Sequence, residues 1–371
     1  MTGLSDLLKV PGAAIESEDD FDAVNTLVAG RNWGDGLPVV PPTAARVEAM
    51  LAWCDRPWDK AIAKIAPRYG EATPLRLASN AVMAGCKPEY FPLLMLAIEA
   101  MCEAPLNLYA VQATTHPCAP LVIVNGPVVR ELGINGGHNA FGPGTHSNAT
   151  IGRAIRLALL NIGGATPGSG DMSTFGAPSK YSYLVAENEA ASPWEPLHVE
   201  RGLPPEASAV TVIGAECPHN INDHESITAE GILTTIAGTM CITGSNDVLY
   251  VSQPVVVMGP EHAKTVADGG VSKAAAKRFL QQHAHLPLDR FSTENIERRL
   301  RSVFRGRYAE VGPDAPVYQV QNAEDIIIVV IGGAGKHSAY IPTFGATRAV
   351  TRALKRRDGS YARSVADFKR P

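Results

Sequence analysis

Four short runs rich in Val and Ile, at residues 120–125, 208–215, 254–258 and 325–333, alternate along the chain with longer apolar or amphipathic segments. Runs of this length, bounded by Gly, Pro or Asn and dense in β-branched residues, are strands buried on both faces. The intervening segments at 18–31, 43–53, 73–84, 90–102, 228–240, 272–283 and 293–305 have helical spacing, and Thr73, Pro74 and Gly85 supply start and stop signals for one of them. Strands alternating with helices predict an α/β layered fold with a mixed or partly parallel sheet. Two pieces, "PLVIVNGPVVREL" and "PVVVMGPEHAKTV", repeat the order extended run, Gly-Pro, helix. That order is expected to reflect two related halves facing a cleft, where sites often lie.

The expected organisation is an N-terminal helical and loop segment (1–60), a first α/β half with a Gly-rich loop (61–205), a second α/β half (206–345) and a basic C-terminal helix or tail (346–371). That tail carries seven bases and two acids from 352 onward, and reads as a solvated terminal helix or a docking and anion-steering element. The polar helices 272–283 and 293–305 belong on the surface. The start of the chain shows no secretory signal, and no apolar run approaches the roughly 20 residues of a membrane helix. Six dispersed cysteines read as reduced thiols, so a cytoplasmic protein is expected. A net charge of −4 argues against nucleic acid as a partner. Extensive uncharged helix surface predicts a homo-oligomer.

Between Leu132 and Gly170 the formal charges are Arg153 and Arg156 alone, among many glycines. A Gly-rich loop precedes an apolar helix that Asn148 or Ser147 can cap, and its free N–H groups with Arg153 would hold an anion. The substrate-binding candidates are therefore His138, Gly144, Asn148 and Arg153; the competing reading is a tightly packed structural loop. The glycines do not follow dinucleotide order. Upstream, "QATTHPCAP" places His116 two residues from Cys118, a candidate nucleophile if it is not a buried inert thiol. "GAECPHNINDHES" crowds Glu216, Cys217, His219, Asp223, His224 and Glu225 at the end of a strand. His219, Asp223 and His224 would share a face if a helix begins near Asn220, and their types suit a divalent metal cofactor; proton transfer by one histidine is the alternative. "DMSTFGAPSKYSY" offers Asp171, Lys180 and Tyr181, and "GGAGKHS" is a possible anion cradle without the Walker spacing. "WEPLHVERG" reads as a structural crossing.

Taken together, "DGLPVVPPT", "VMAGCKPEYFP", "ATTHPCAPLVIVNGP", "RAIRLALLNIGG", "KYSYLVAENEAASPWEPLHVERG", "GPEHAKTVADGGVSK" and "GGAGKHS" resemble a bacterial family associated with UGSC-type thiol or selenol proteins. The resemblance implies a bacterial cytosolic protein that acts with a small Cys- or Sec-bearing companion subunit. This chain has no UGSC or CGSC motif, so a redox centre would belong to that companion.

The sequence thus predicts an enzyme for a small anionic organic substrate, working by general acid/base or thiol-assisted chemistry of hydrolase or lyase type. His116, Cys118, His146, Lys180 and His224 are its catalytic candidates. The alternative is a substrate-binding or scaffold subunit of a thiol or selenol redox complex.

Overall fold

The computed structural model describes residues 14–370. The beginning of the expected N-terminal segment and the last residue of the tail lie outside them.

Apolar spacing and caps produce the helices. Asp20 caps α1 (Phe21–Gly30), and α2 (Ala44–Leu51) follows Thr43. A hairpin, β1 (Ala63–Ile65) with β2 (Gly70–Ala72), leads into α3 (Pro74–Ala84), which Thr73 caps and Gly85 ends at φ +85°. Helix α4 (Phe91–Met101) is apolar nearly all round and correspondingly buried, and the short α5 (Leu108–Ala113) precedes the first long strand. Among the described residues no single helix is long and apolar enough to cross a membrane.

The long strands form two four-stranded mixed sheets. In the first, β3 (Ala119–Asn125) lies parallel to β4 (Leu184–Ala186) and antiparallel to β5 (Ala209–Ala215). Then come β6 (His219–Asn222), β7 (Val255–Met258), a separate hairpin of β8 (His285–Pro287) with β9 (Pro316–Tyr318), β10 (Ile327–Val330), β11 (His337–Ile341) and β12 (Val350–Ala353). The second sheet pairs β7 parallel with β10 and antiparallel with β11. The two sheets therefore share one pattern, with the sets β3, β4, β5, β6 and β7, β10, β11, β12 in corresponding order. The fourth strand of each set crosses over: β6 pairs with β11, and β12 pairs with β5. The crossing segments are stitched by Glu216 N to Pro342 O (2.9 Å) and Phe344 N to Gly214 O (2.9 Å).

Alternation along the strands builds the layers. Leu121, Ile123 and Ile213 of the first sheet pack with Val255, Val257, Ile327, Val329 and Ile341 of the second in one apolar cluster. The opposite face of the first sheet, through Val122, Val124, Val210 and Val212, meets α3, α4 and α6 (His146–Asn161). The outer face of the second, through Val256, Met258, Ile328 and Tyr340, meets α7 (Ala229–Met240), α8 (Pro260–Asp268) and α9 (Lys273–His283). The order is helix, sheet, sheet, helix. A fully buried Val or Ile here contributes about 1.5–3 kcal/mol over leaving it exposed.

Several expectations change. The sheets do not divide at residue 205, because β5 pairs with β3 along its whole length. The basic tail is not a terminal helix: 350–353 pair antiparallel with β5 as an edge strand, with Val350 buried and Arg352 on the same face reaching Glu103 at 2.6 Å. The segment 293–305 is broken by an i→i+5 turn at Ile296–Leu300. On α9, Lys273 and Lys277 are buried rather than solvated, since both pair with Glu200. The "WEPLHVERG" segment does cross between layers, with Trp194 Nε1 donating to Val271 O (3.2 Å) and Lys273 Nζ to Glu195 O (2.6 Å).

Candidate active site

The loop 162–181 leaves α6 and returns toward β3, which brings polar side chains to the N-terminal end of that strand. Gly152 lets this return lie against α6, because a Cβ there would sit 2.2 Å from Ser182 Oγ. Gly170 is equally constrained: a Cβ would meet Gly164 O at 2.0 Å. The tight turn sets Asp171 between two cations. Lys180 Nζ lies 2.7 Å from both carboxylate oxygens, Arg156 Nη2 donates to Oδ2 at 3.0 Å, and Ser173 N donates to Oδ1 at 3.1 Å. The Lys180 and Arg156 side chains are each 11% exposed and that of Asp171 5%. Burial alone would raise the Asp171 carboxyl, but the Lys180 ammonium and the Arg156 guanidinium outweigh it and hold the group below its usual range. The triad carries one net positive charge.

Glu216, immediately after β5, faces the same space. His116 Nε2 donates to its Oε1 at 2.6 Å, Tyr183 Oη donates to its carbonyl at 2.7 Å, and His116 stacks obliquely on Phe344 with ring centres 5.4 Å apart. Thr174 N donates to Thr115 O at 3.0 Å, tying the Lys180 loop to the His116 segment. An open pocket of about 1070 Å³ is lined by Arg156, Asp171, Lys180, Glu216, Cys217 and His219. Phe175, 81% exposed, stands at its wall with Tyr181.

The structure thus gathers Lys180 and, through Glu216, His116 around one pocket. Cys118 lies within the electrostatic reach of Lys180, Glu216 and Asp171, but it is fully buried and burial pushes its thiol up to about 12. Its Sγ faces Val111 O at 3.8 Å. It is a packed, protonated thiol at neutral pH.

Other candidates lie elsewhere. Arg153 is committed to Asp35, with Nε and Nη2 each 2.8 Å from a carboxylate oxygen, and to the carbonyls of Leu37 and Pro38. It anchors the 33–38 loop, whose Gly34 and Asp35 reach the pocket wall. Asn148 staples the Gly-rich loop internally, accepting from Asn135 N (2.8 Å) and donating to Asn135 O (2.9 Å). The N-cap of α6 is Thr145, not Asn148 or Ser147; Ser147 donates to Gly133 O instead. His146 packs near Tyr90, Gly144 is exposed at φ +120°, and His138 covers Gly333. These residues do not join the pocket. In "GGAGKHS", Gly335 N is taken by Glu261 Oε1 at 2.7 Å and Lys336 Nζ by His224 O at 2.7 Å.

The expected metal set is not assembled. Residues 219–222 form a strand, not a helix, so successive side chains diverge: buried Asp223 accepts from Ser226 N, His219 lines the pocket, and His224 turns toward His337. Among the described residues no group of three or more His, Cys, Asp or Glu side chains is arranged to hold a metal ion.

Arg156 and Glu216 are the site residues that sequence reasoning passed over. Both stood within noted segments, and the signal was contextual: Arg156 is one of two charges, with Arg153, on an otherwise uncharged helix, and buried there it needs a partner. Comparison with known proteins finds no matching family model, no matching curated protein and no matching solved structure.

Proposed function

We propose that the protein is an enzyme acting on a small anionic organic substrate by general acid/base chemistry, of hydrolase or lyase type. One observation carries this reading: the open pocket of about 1070 Å³ joins a buried, net-positive Arg156–Asp171–Lys180 triad to the His116–Glu216 pair. In this reading Lys180, with a donor beyond the two given to Asp171, meets the substrate anion and stabilises charge developing on it. Asp171 and Arg156 fix the ammonium in place. Glu216 moves the proton, and His116 orients its carboxylate from behind. The buried state of Cys118 favours this acid/base arm over a thiol-assisted one. All six cysteines are free, which supports a reducing, cytoplasmic setting.

A thermal-shift panel of mono- and dicarboxylates and phosphate monoesters tests the reading. At least one anion is expected to stabilise the wild type and to lose that effect in Lys180→Met. Glu216→Gln is expected to keep binding while losing any turnover of the hit. Absence of stabilisation by every anion, or stabilisation unchanged in Lys180→Met, overturns the proposal.

A further inference from the structure

We propose that His224 and His337, outside the pocket, form a two-imidazole site for a divalent transition-metal ion such as Zn²⁺. The argument begins with strand register. In the β6–β11 pair, His337 stands opposite Asn222 and Ala339 opposite Asn220. Asp223 N donates to Lys336 O at 3.4 Å, which continues the pairing one residue beyond β6. Ile221 and Asp223 are buried on one face, while Asn220, Asn222, His224 and His337 are exposed on the other. Two histidines from neighbouring strands therefore emerge side by side.

Their geometry is that of ligands. The two Nε2 atoms lie 3.3 Å apart with the rings edge-on at 5.1 Å between centres. Zn–N bonds of about 2.0–2.1 Å meeting at the tetrahedral angle place two nitrogens about 3.3–3.4 Å apart. The ring of His337 is also oriented. Its Nδ1 lies 3.0 Å from Asn220 Oδ1, and because an amide oxygen accepts only, Nδ1 carries the proton and Nε2 presents its lone pair. A ligating histidine held through its other nitrogen is the usual support for such a site. The His224 main chain is fixed as well, since Lys336 Nζ donates to its carbonyl. Imidazole donors favour Zn²⁺, Cu²⁺, Ni²⁺ or Co²⁺ over Mg²⁺ or Ca²⁺. Two protein ligands leave the remaining positions to water or an incoming donor.

Isothermal titration of the EDTA-treated full chain with ZnCl₂ tests the site, with Co²⁺ absorption as a report of coordination geometry. One Zn²⁺ per chain is expected to be lost in both His224→Ala and His337→Ala, with the circular-dichroism spectrum unchanged. His285→Ala, an exposed histidine elsewhere, is expected to retain it. Asn220→Ala should weaken binding about tenfold or more, and Asn220→Asp, which keeps an acceptor, should restore it. No Zn²⁺ bound by the folded wild type, or a stoichiometry unchanged in the two histidine variants, overturns the proposal.

Discussion

Removing Asp171 and removing Lys180 should have opposite consequences. Asp171→Ala strands two cations whose side chains are each only 11% exposed, because Arg156 and Lys180 share that one carboxylate. Breaking a buried ion pair by deleting one member costs about 3–5 kcal/mol, chiefly from the uncompensated charge left behind. Lys180→Met instead leaves Asp171 paired with Arg156 and hydrogen-bonded to Ser173 N, and substitutes an apolar chain of similar reach. Its expected cost is below about 2 kcal/mol. Urea denaturation monitored by tryptophan fluorescence, at pH 7 with matched m-values, measures both. The sign of the pH effect follows from the lowered carboxyl of folded Asp171. Its contribution is complete above the unfolded value near 3.9 and is lost as pH falls through the lower folded value. The gap between wild type and Asp171→Ala should therefore stay constant from pH 7 to about 5 and close below about 4. An Asp171→Ala cost under about 1 kcal/mol, or equal costs for the two variants, would refute the shared-carboxylate reasoning.

Three further outcomes are expected. Arg153→Ala should lower stability by about 3–5 kcal/mol in thermal or urea unfolding, because the Asp35 side chain is 3% exposed and loses its cation; anion binding measured well below the transition should persist. In native protein treated with an aromatic disulfide reagent, intact-mass peptide mapping should find Cys118 unlabelled until denaturant is added, and Cys118→Ala should keep anion-induced stabilisation. Fully buried Asp247, raised by burial to about 6, is most favourable below the unfolded value near 4; its contribution should fall by about 3 kcal/mol as pH rises from 4 to 7, and Asp247→Asn should remove that slope from the stability curve.

The fold was legible where residues carry strong local instructions. Thr73, Pro74 and Gly85 bracket their helix as the sequence implies, and the Val- and Ile-rich runs are strands. What the sequence could not show is pairing. The edge strands β6 and β12 contain His, Asn, Thr and Arg, and acquire their extended form from the neighbours they meet, not from propensity. The same limit applied to the site. Arg153 and the Gly-rich loop have the composition of an anion site, yet Asp35, more than a hundred residues away in sequence, already occupies the guanidinium. Lys180 was visible as a long-loop cation, whereas its partnership with Arg156 through Asp171 needs the turn that Gly170 permits.

The exchange of fourth strands also governs how the chain can emerge from a ribosome. The edge of β5 is made before its partner β12, with β6 to β11 synthesised in between. Until Val350–Ala353 appears, the first sheet presents a bare, apolar strand edge of the kind that recruits other chains. In the second sheet the order is reversed, because β6 is already waiting when β11 arrives. The nascent protein is thus most prone to aggregation in the interval between the synthesis of β5 and that of β12. Deleting Val350–Ala353 would leave the β5 edge of the first sheet unpaired in the finished fold as well.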